Sequence, residues 1–268
     1  MQLFAEYRNI FHNIAENGKI MLKEERLEYI LKKLQTDHKV LQTELSTDLQ
    51  VSEDTVRRDL DALALSGRLI KVRGGAIPHS PNPYNFNDRI VYHEADKKQI
   101  AAKALSFIQD GQTIIMDGGT STLTLAKMLP PTLKATIITN CVPIAAQLID
   151  HPNVELILTG GRVTKASQNA GGLDTIRMLQ RIKADICFLG VCSLHEETGV
   201  SCVDFNDTEV KSVMVESAYK TIVLATSEKM GTAEPFKVCE ITNIDTIITD
   251  KPELPSLKPY IDLGIQVI

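Results

Sequence analysis

VSEDTVRRDLDALALSGRLIKVRGG, residues 51–75, is the stretch from which the fold can be read. Ser52 stands as a helix N-cap, because its hydroxyl can accept from a free backbone N–H of the first turn. Glu53 and Asp54 follow it, where the helix dipole favours negative charge. Val56, Leu60 and Leu63 recur at i, i+4 and i+7 and form one apolar stripe. Thr55, Arg57, Arg58 and Asp61 fall off that stripe. Gly67 stops the helix. Leu69-Ile70-Lys71-Val72 then predicts a short strand, and Gly74-Gly75 a tight turn. A short capped helix with two adjacent arginines, followed by a small hairpin, has the form of a recognition helix and wing.

Working outward, Leu27, Ile30, Leu31 and Leu34 predict a first amphipathic helix, and Leu41, Leu45 and Leu49 a second, shorter one. Gln50-Val51-Ser52 has the length of the tight connection in a helix-turn-helix. The run Val51-Ser52-x-x-Thr55-Val56-Arg57-Arg58-Asp59-Leu60, with Leu63, Gly67 and Gly74-Gly75-Ala76 after it, resembles the DNA-binding signature of the DeoR-type bacterial transcriptional repressors. The resemblance implies a head that binds double-stranded operator DNA. Arg57 and Arg58 would reach the major groove or its phosphates, with Thr55 and Ser52 as second choices. Arg68, Lys71 and Arg73 would hold the backbone from the wing. The alternative for the same residues is a three-helix module that binds protein, with both arginines solvated.

At 268 residues the chain has room for two domains, and 43% hydrophobic with 24% charged residues is ordinary for a globular protein. The net charge of −5 excludes a chain that is basic throughout. Residues 57–73 nevertheless hold five basic side chains (Arg57, Arg58, Arg68, Lys71, Arg73) against Asp59 and Asp61, a local net of +3. DNA binding needs only one such basic face. Cys141, Cys187, Cys192, Cys202 and Cys239 are spaced for neither a zinc site nor a redox pair, and read as small buried hydrophobes, reduced in a cytoplasmic protein. Nothing approaches the length of a membrane span.

Residues 1–20, MQLFAEYRNIFHNIAENGKI, lack the form of a signal peptide. Phe4, Tyr7, Phe11 and Ile14 have helical spacing. The resemblance begins only near Met21, which leaves open a second reading in which translation starts there. Residues 77–87, IPHSPNPYNFN, contain Pro78, Pro81 and Pro83, which oppose regular structure. The expected organisation is an extension over 1–20, a winged helix-turn-helix over 21–77, a linker over 78–90 and an α/β domain over 91–268. A helix over 89–104 opens the second domain.

Strands are expected over 113–116, 135–138, 154–158, 186–191, 221–225 and 246–248, alternating with helices. Short β-branched runs separated by helical stretches predict a mostly parallel sheet covered by helices. Ligands bind such sheets beyond the carboxyl ends of the strands. There the chain places Asp117-Gly118-Gly119-Thr120-Ser121-Thr122. The glycines allow close backbone approach, the hydroxyls can donate, and a following helix offers N–H groups to an anion such as phosphate. An ordinary strand-to-helix turn is the alternative.

The family resemblance extends through this domain. It implies a fold similar to ribose-5-phosphate isomerase and a phosphorylated sugar or sugar-like effector. The effector would be held by residues 117–122 with Asn140, Gly160, Gly161 and Lys229, in a homo-oligomer without cofactor, metal or catalysis. DeoR-type proteins usually carry Asp-x-Ser-Lys after the strand ending at Ala225, where this chain has Thr226-Ser227-Glu228-Lys229. Either the effector differs or the pocket is weakened. Asp207, Glu209 and Lys211 are candidates for the carboxylates and lysine with which related isomerases move protons, but the favoured reading is the charged face of a helix over 207–219. His195-Glu196-Glu197 is expected to be a surface loop. The six histidines have no ligand spacing. Two rival classes remain: a sugar-phosphate isomerase carrying a DNA-binding head, and a constitutive DNA binder whose second domain only oligomerises.

Overall fold

The computed structural model describes residues 21–37 and 39–268, so the expectations for residues 1–20 lie outside the described residues. The described residues divide into two compact units that part between residues 77 and 78.

The first unit holds α1 (Lys23–Asp37), β1 (Val40–Leu41), α2 (Gln42–Leu49), α3 (Glu53–Leu65), β2 (Ile70–Val72) and β3 (Gly75–Ile77). The apolar stripes meet in one core of Ile30, Leu34, Leu45, Leu49, Val56, Leu60, Leu63 and Leu69. Ser52 caps α3, its Oγ accepting from the Thr55 N–H at 3.3 Å. Gln50 takes the left-handed conformation, with φ 51°, which makes the connection between α2 and α3 abrupt. Leu41 is not helical as expected. It lies in β1, which adds a third antiparallel strand to the wing in the order β1-β3-β2. Gly75 permits this pairing, because any Cβ there would collide with the Val40 carbonyl oxygen. A buried ion pair the pattern did not reveal ties α1 to α3. Arg26 Nε and Nη2 donate to the two oxygens of Asp59 at 2.7 and 3.2 Å.

The second unit is built on a seven-stranded, wholly parallel sheet. Its strands are β4 (Thr113–Met116), β5 (Thr136–Thr139), β6 (Glu155–Leu158), β9 (Ala184–Gly190), β12 (Ala218–Leu224), β14 (Thr246–Ile248) and β15 (Gln266–Val267), in the order β15-β14-β12-β9-β4-β5-β6. Alternate strand residues enter two different cores, as the period of a strand requires. Ile115, Cys187, Leu189, Val223 and Ile247 face one side. There they meet helices α8 (Leu173–Leu179), α9 (Phe205–Glu216) and α10 (Lys258–Asp262). Ile114, Met116, Phe188, Ile222 and Ile248 face the other. That side carries α4 (Phe86–Val91), α5 (Glu94–Ala104), α6 (Thr120–Lys127) and α7 (Val142–Leu148). Burial on both faces explains why these strands read as continuous apolar runs. Two antiparallel additions complete the unit: the hairpin β7 (Arg162–Thr164) with β8 (Asn169–Gly171), and a small sheet of β10 (Ser193–His195), β11 (Gly199–Cys202) and β13 (Phe236–Cys239).

Three expectations change. The helix over 89–104 is two helices, broken at His93 with φ 51°. The Lys97 ammonium sits in the break and binds the Arg89 and Tyr92 carbonyls, so the broken turn keeps its hydrogen bonds. His195 is 1% exposed within β10 rather than on a surface loop. Residues 78–83 lack regular structure, but Phe86, inside the linker expected over 78–90, is buried in the second core. No helix among the described residues is long and apolar enough to cross a membrane.

Candidate functional site

On the first unit, Arg57 and Arg58 stand exposed on α3, off the buried stripe. Both lean on the same carboxylate, with Arg57 Nη2 at 2.6 Å and Arg58 Nη2 at 2.7 Å from Asp54. Lys71 of the wing pairs with Asp61, and Arg68 and Arg73 are exposed. Ion pairs this exposed contribute little to stability, so each cation can exchange its partner for a phosphate at little cost. Asp59, counted from the sequence against the basic cluster, is 2% exposed and committed to Arg26. It therefore does not subtract from the charge of the outer face. Ser52 serves α3 as its cap, and its Oγ lies 3.0 Å from the half-buried Thr55 hydroxyl.

In the second unit, β4 is followed on one side by β5 and β6 and flanked on the other by β9. The strand order therefore reverses between β4 and β9, which is where open α/β sheets form a ligand crevice. Asp117 closes the end of β4 and is fully buried. Its Oδ2 accepts from the Gly190 N–H at 2.9 Å, across to the end of β9, and from Lys211 of α9. Lys211 also donates to the Gly190 carbonyl at 2.9 Å and lies 3.8 Å from Asp207. The expectation of a charged outer face for α9 thus holds for the exposed Glu209 and fails for Lys211, which is 3% exposed. Burial opposes the charge on Lys211, but Asp117 and Asp207 together raise its pKa above the ordinary value.

Beyond Asp117 the loop is shaped by Asn169 of β8, whose Nδ2 donates to the Gly118 carbonyl and to Asp207, both at 3.1 Å. A side chain at position 118 would strike the Asn169 carboxamide. Thr122 is spent on the loop itself: its Oγ1 accepts from the Gly119 N–H at 2.9 Å and donates back to the loop carbonyls. Thr120 and Ser121 are nearly buried at the start of α6. Asn140 donates to the Ala170 carbonyl at 2.9 Å. Gly160 and Gly161 lie exposed between β6 and β7.

Lys229 is 5% exposed and donates to the Val191 carbonyl at 3.0 Å. Its electrostatic neighbours include two cations that no motif indicated, Arg89 and Lys97. Burial, then the like charges of Lys229 and Arg89, push the Lys97 ammonium down to about 8. Burial lowers Lys229 as well. Glu228 is the acid among them, its Oε1 accepting from Thr226 Oγ1 at 2.6 Å. The two residues that depart from the usual pattern therefore bond to each other. Four buried acceptor atoms around this crevice have no partner among the described residues: Asp117 Oδ1, Asn140 Oδ1, Asn169 Oδ1 and Glu228 Oε2. Cations that depress one another favour an anion, and orphaned acceptors favour hydroxyl donors.

Arg89, Lys97 and Asn169 carry no sequence signal. The need for glycine at 118 was visible, but not what it makes room for.

The profile of the DeoR-like helix-turn-helix domain matches residues 26–81, and that of the DeoR C-terminal sensor domain matches residues 92–251. The chain is 35% identical to the HTH-type transcriptional regulator GolR of Listeria innocua, over 91% of this chain and 97% of the relative. It is 33% identical to the HTH-type transcriptional repressor GlcR of Bacillus subtilis, over 86% of this chain and 90% of the relative. Among solved structures, ribose 5-phosphate isomerase A of Methanocaldococcus jannaschii aligns over 51% of this chain and 54% of its own, with 16% identity and a TM-score of 0.37, too distant to bear on function. On the two profiles and the full-length relatives, the chain belongs to the DeoR family of helix-turn-helix transcriptional regulators.

Proposed function

We propose that this regulator is a repressor, that it binds operator DNA as a homo-oligomer, and that its second unit senses a phosphorylated sugar without turning it over. In the first unit, Arg57 and Arg58 enter the major groove, Thr55 and Ser52 flank them, and Arg68, Lys71 and Arg73 hold phosphates. Symmetric operators are read by symmetric dimers, which supports the oligomer. GlcR, named a repressor, supports the sign of regulation.

The observation that carries the sensing role is the gathering of Arg89, Lys97 and Lys229 beside four orphaned acceptors at the strand switch. The cations and the N–H groups of Gly118, Thr120 and Ser121 take the phosphate. Asn140, Asn169, Gly160 and Gly161 line the sugar side. A sensor requires its ligand to distinguish the DNA-competent from the incompetent state. The Lys211 ammonium and Asp117 carboxylate neutralise each other, which withholds that carboxylate from proton abstraction.

The test is a thermal-shift screen of pentose and hexose phosphates against the full chain, since a ligand of the folded state raises Tm. Gly119→Asp puts a carboxylate where the phosphate belongs. It should lose the shift and the operator response and keep operator binding. A Gly119→Asp protein that still responds normally refutes the site, and measurable isomerisation of any stabilising sugar phosphate refutes sensing without turnover.

A further inference from the structure

The five cysteines read from the sequence as inert buried thiols. That description fits Cys141, Cys187 and Cys239, whose thiols burial pushes well up, to about 12 for Cys141 and Cys239. It does not fit the remaining two. In the hairpin of β10 and β11, Ser193 pairs with Ser201, Leu194 with Val200 and His195 with Gly199. Continuing that register by one residue sets Cys192 opposite Cys202. Directly opposed residues of an antiparallel pair have Cα atoms about 4.5–5.5 Å apart. A disulfide spans Cα separations of about 4.4–6.8 Å, so a pair at that spacing is within its reach.

The neighbouring Cys202 thiol, with help from the Lys211 ammonium, draws the Cys192 thiol down to about 7, against its burial and Asp207. The same contact and burial raise Cys202. Cys192 is partly buried whereas Cys202 is 1% exposed, so Cys192 is the more accessible residue of the two. A thiolate-leaning, accessible cysteine beside a resolving one is the arrangement of a redox-responsive dithiol. Its place is also specific. Cys192 follows Gly190 and Val191, whose carbonyls hold Lys211 and Lys229 at 2.9 and 3.0 Å.

We infer that Cys192 and Cys202 are a modification site, a dithiol in the wall of the second unit's crevice that hydroperoxides oxidise to an intrachain disulfide. In the first step the Cys192 thiolate attacks one oxygen of the peroxide. An S–O bond forms, the O–O bond breaks, and the departing hydroxide is protonated to water. In the second step the Cys202 sulfur attacks the sulfenic sulfur of Cys192. The S–S bond forms, the S–O bond breaks, and hydroxide leaves with the Cys202 proton as a second water. Two thiols and one hydrogen peroxide thus give one disulfide and two waters. A dithiol reductant reverses the change by thiol exchange.

The experiment treats the reduced full chain with hydrogen peroxide, blocks the remaining thiols, and maps peptides without reduction. The expected product is a crosslink between the Cys192 and Cys202 peptides, with an intact mass lower by two hydrogens that dithiothreitol restores. Cys202→Ser, with Cys202→Ala as the alternative where serine impairs folding, should give no crosslink and leave a sulfenic acid at Cys192 that dimedone traps. Iodoacetamide should alkylate Cys192 before the other four. Oxidation of the wild type that leaves Cys192 reduced overturns the inference. So does a disulfide between chains or with Cys141, Cys187 or Cys239, or overoxidation of Cys192 with Cys202 still a thiol. None of these readouts depends on the sensing role, so the two readings fail separately.

Discussion

Replacing Lys211 by methionine tests the centre of the second unit. Lys211 and Asp117 are 3% and 0% exposed, and each is the other's counter-charge. Methionine fills a similar volume, so the change isolates the lost ammonium. Asp117 Oδ2 would retain one donor, the Gly190 N–H at 2.9 Å, and its Oδ1 already has no partner among the described residues. Removing one partner of a buried pair strands the other charge, at a cost of about 3–5 kcal/mol. Against a native stability of about 5–15 kcal/mol that is a large fraction. Adding Asp117→Asn removes the stranded charge and keeps an acceptor for Gly190, so the double variant should lose only about 1–2 kcal/mol. The raised pKa of Lys211 means its contribution is fully present below its unfolded value of about 10.4. It is lost only as pH rises through the higher folded value, so the penalty should be the same at neutral and mildly alkaline pH. Urea unfolding of the full chain, with hydrogen exchange at Ile115 and Phe188 to follow the sheet, measures it. A cost for Lys211→Met under about 1 kcal/mol, or a double variant as unstable as the single, refutes the reasoning.

Other expectations concern both units. Arg57→Ala or Arg58→Ala should weaken operator binding by about 1–3 kcal/mol if the arginine holds a base, and Lys71→Ala should weaken binding to every sequence and flatten its salt dependence. Wild-type affinity in the double arginine variant would remove α3 as the recognition helix. Because burial, and then like charges, hold Lys97 near 8, an anion in the crevice should raise it and draw in a proton. Sugar-phosphate affinity should then fall as pH rises through about 8, and Lys97→Met should flatten that fall. Titration calorimetry at pH 8 in buffers of different ionisation enthalpy would show equal heats if no proton is taken up. Gly118→Ala should cost about 1–3 kcal/mol through overpacking and displace Asn169; a thermal melt matching wild type would argue against that contact.

What the sequence determined by itself is the part encoded locally. The cap at Ser52, the stripe of Val56, Leu60 and Leu63, and the turn at Gly74-Gly75 are consequences of hydrogen bonding and periodicity within a few residues. Short range is enough to place α3 and the wing. The alternation of strands and helices was legible for the same reason, and so was the glycine-rich loop after β4. The tertiary structure alone decided which polar groups meet. Asp117 and Lys211 are 94 residues apart in the chain, and Gly118 and Asn169 are 51 apart. Helical spacing assigned Lys211 to a face of α9 but could not say whether water or a carboxylate lay opposite. Arg89 and Lys97 carried no motif, and Cys192 and Cys202 had none until strand register put them side by side. A side chain's periodicity comes from its own backbone, whereas its charge state, burial and partner come from whatever the rest of the chain packs against it.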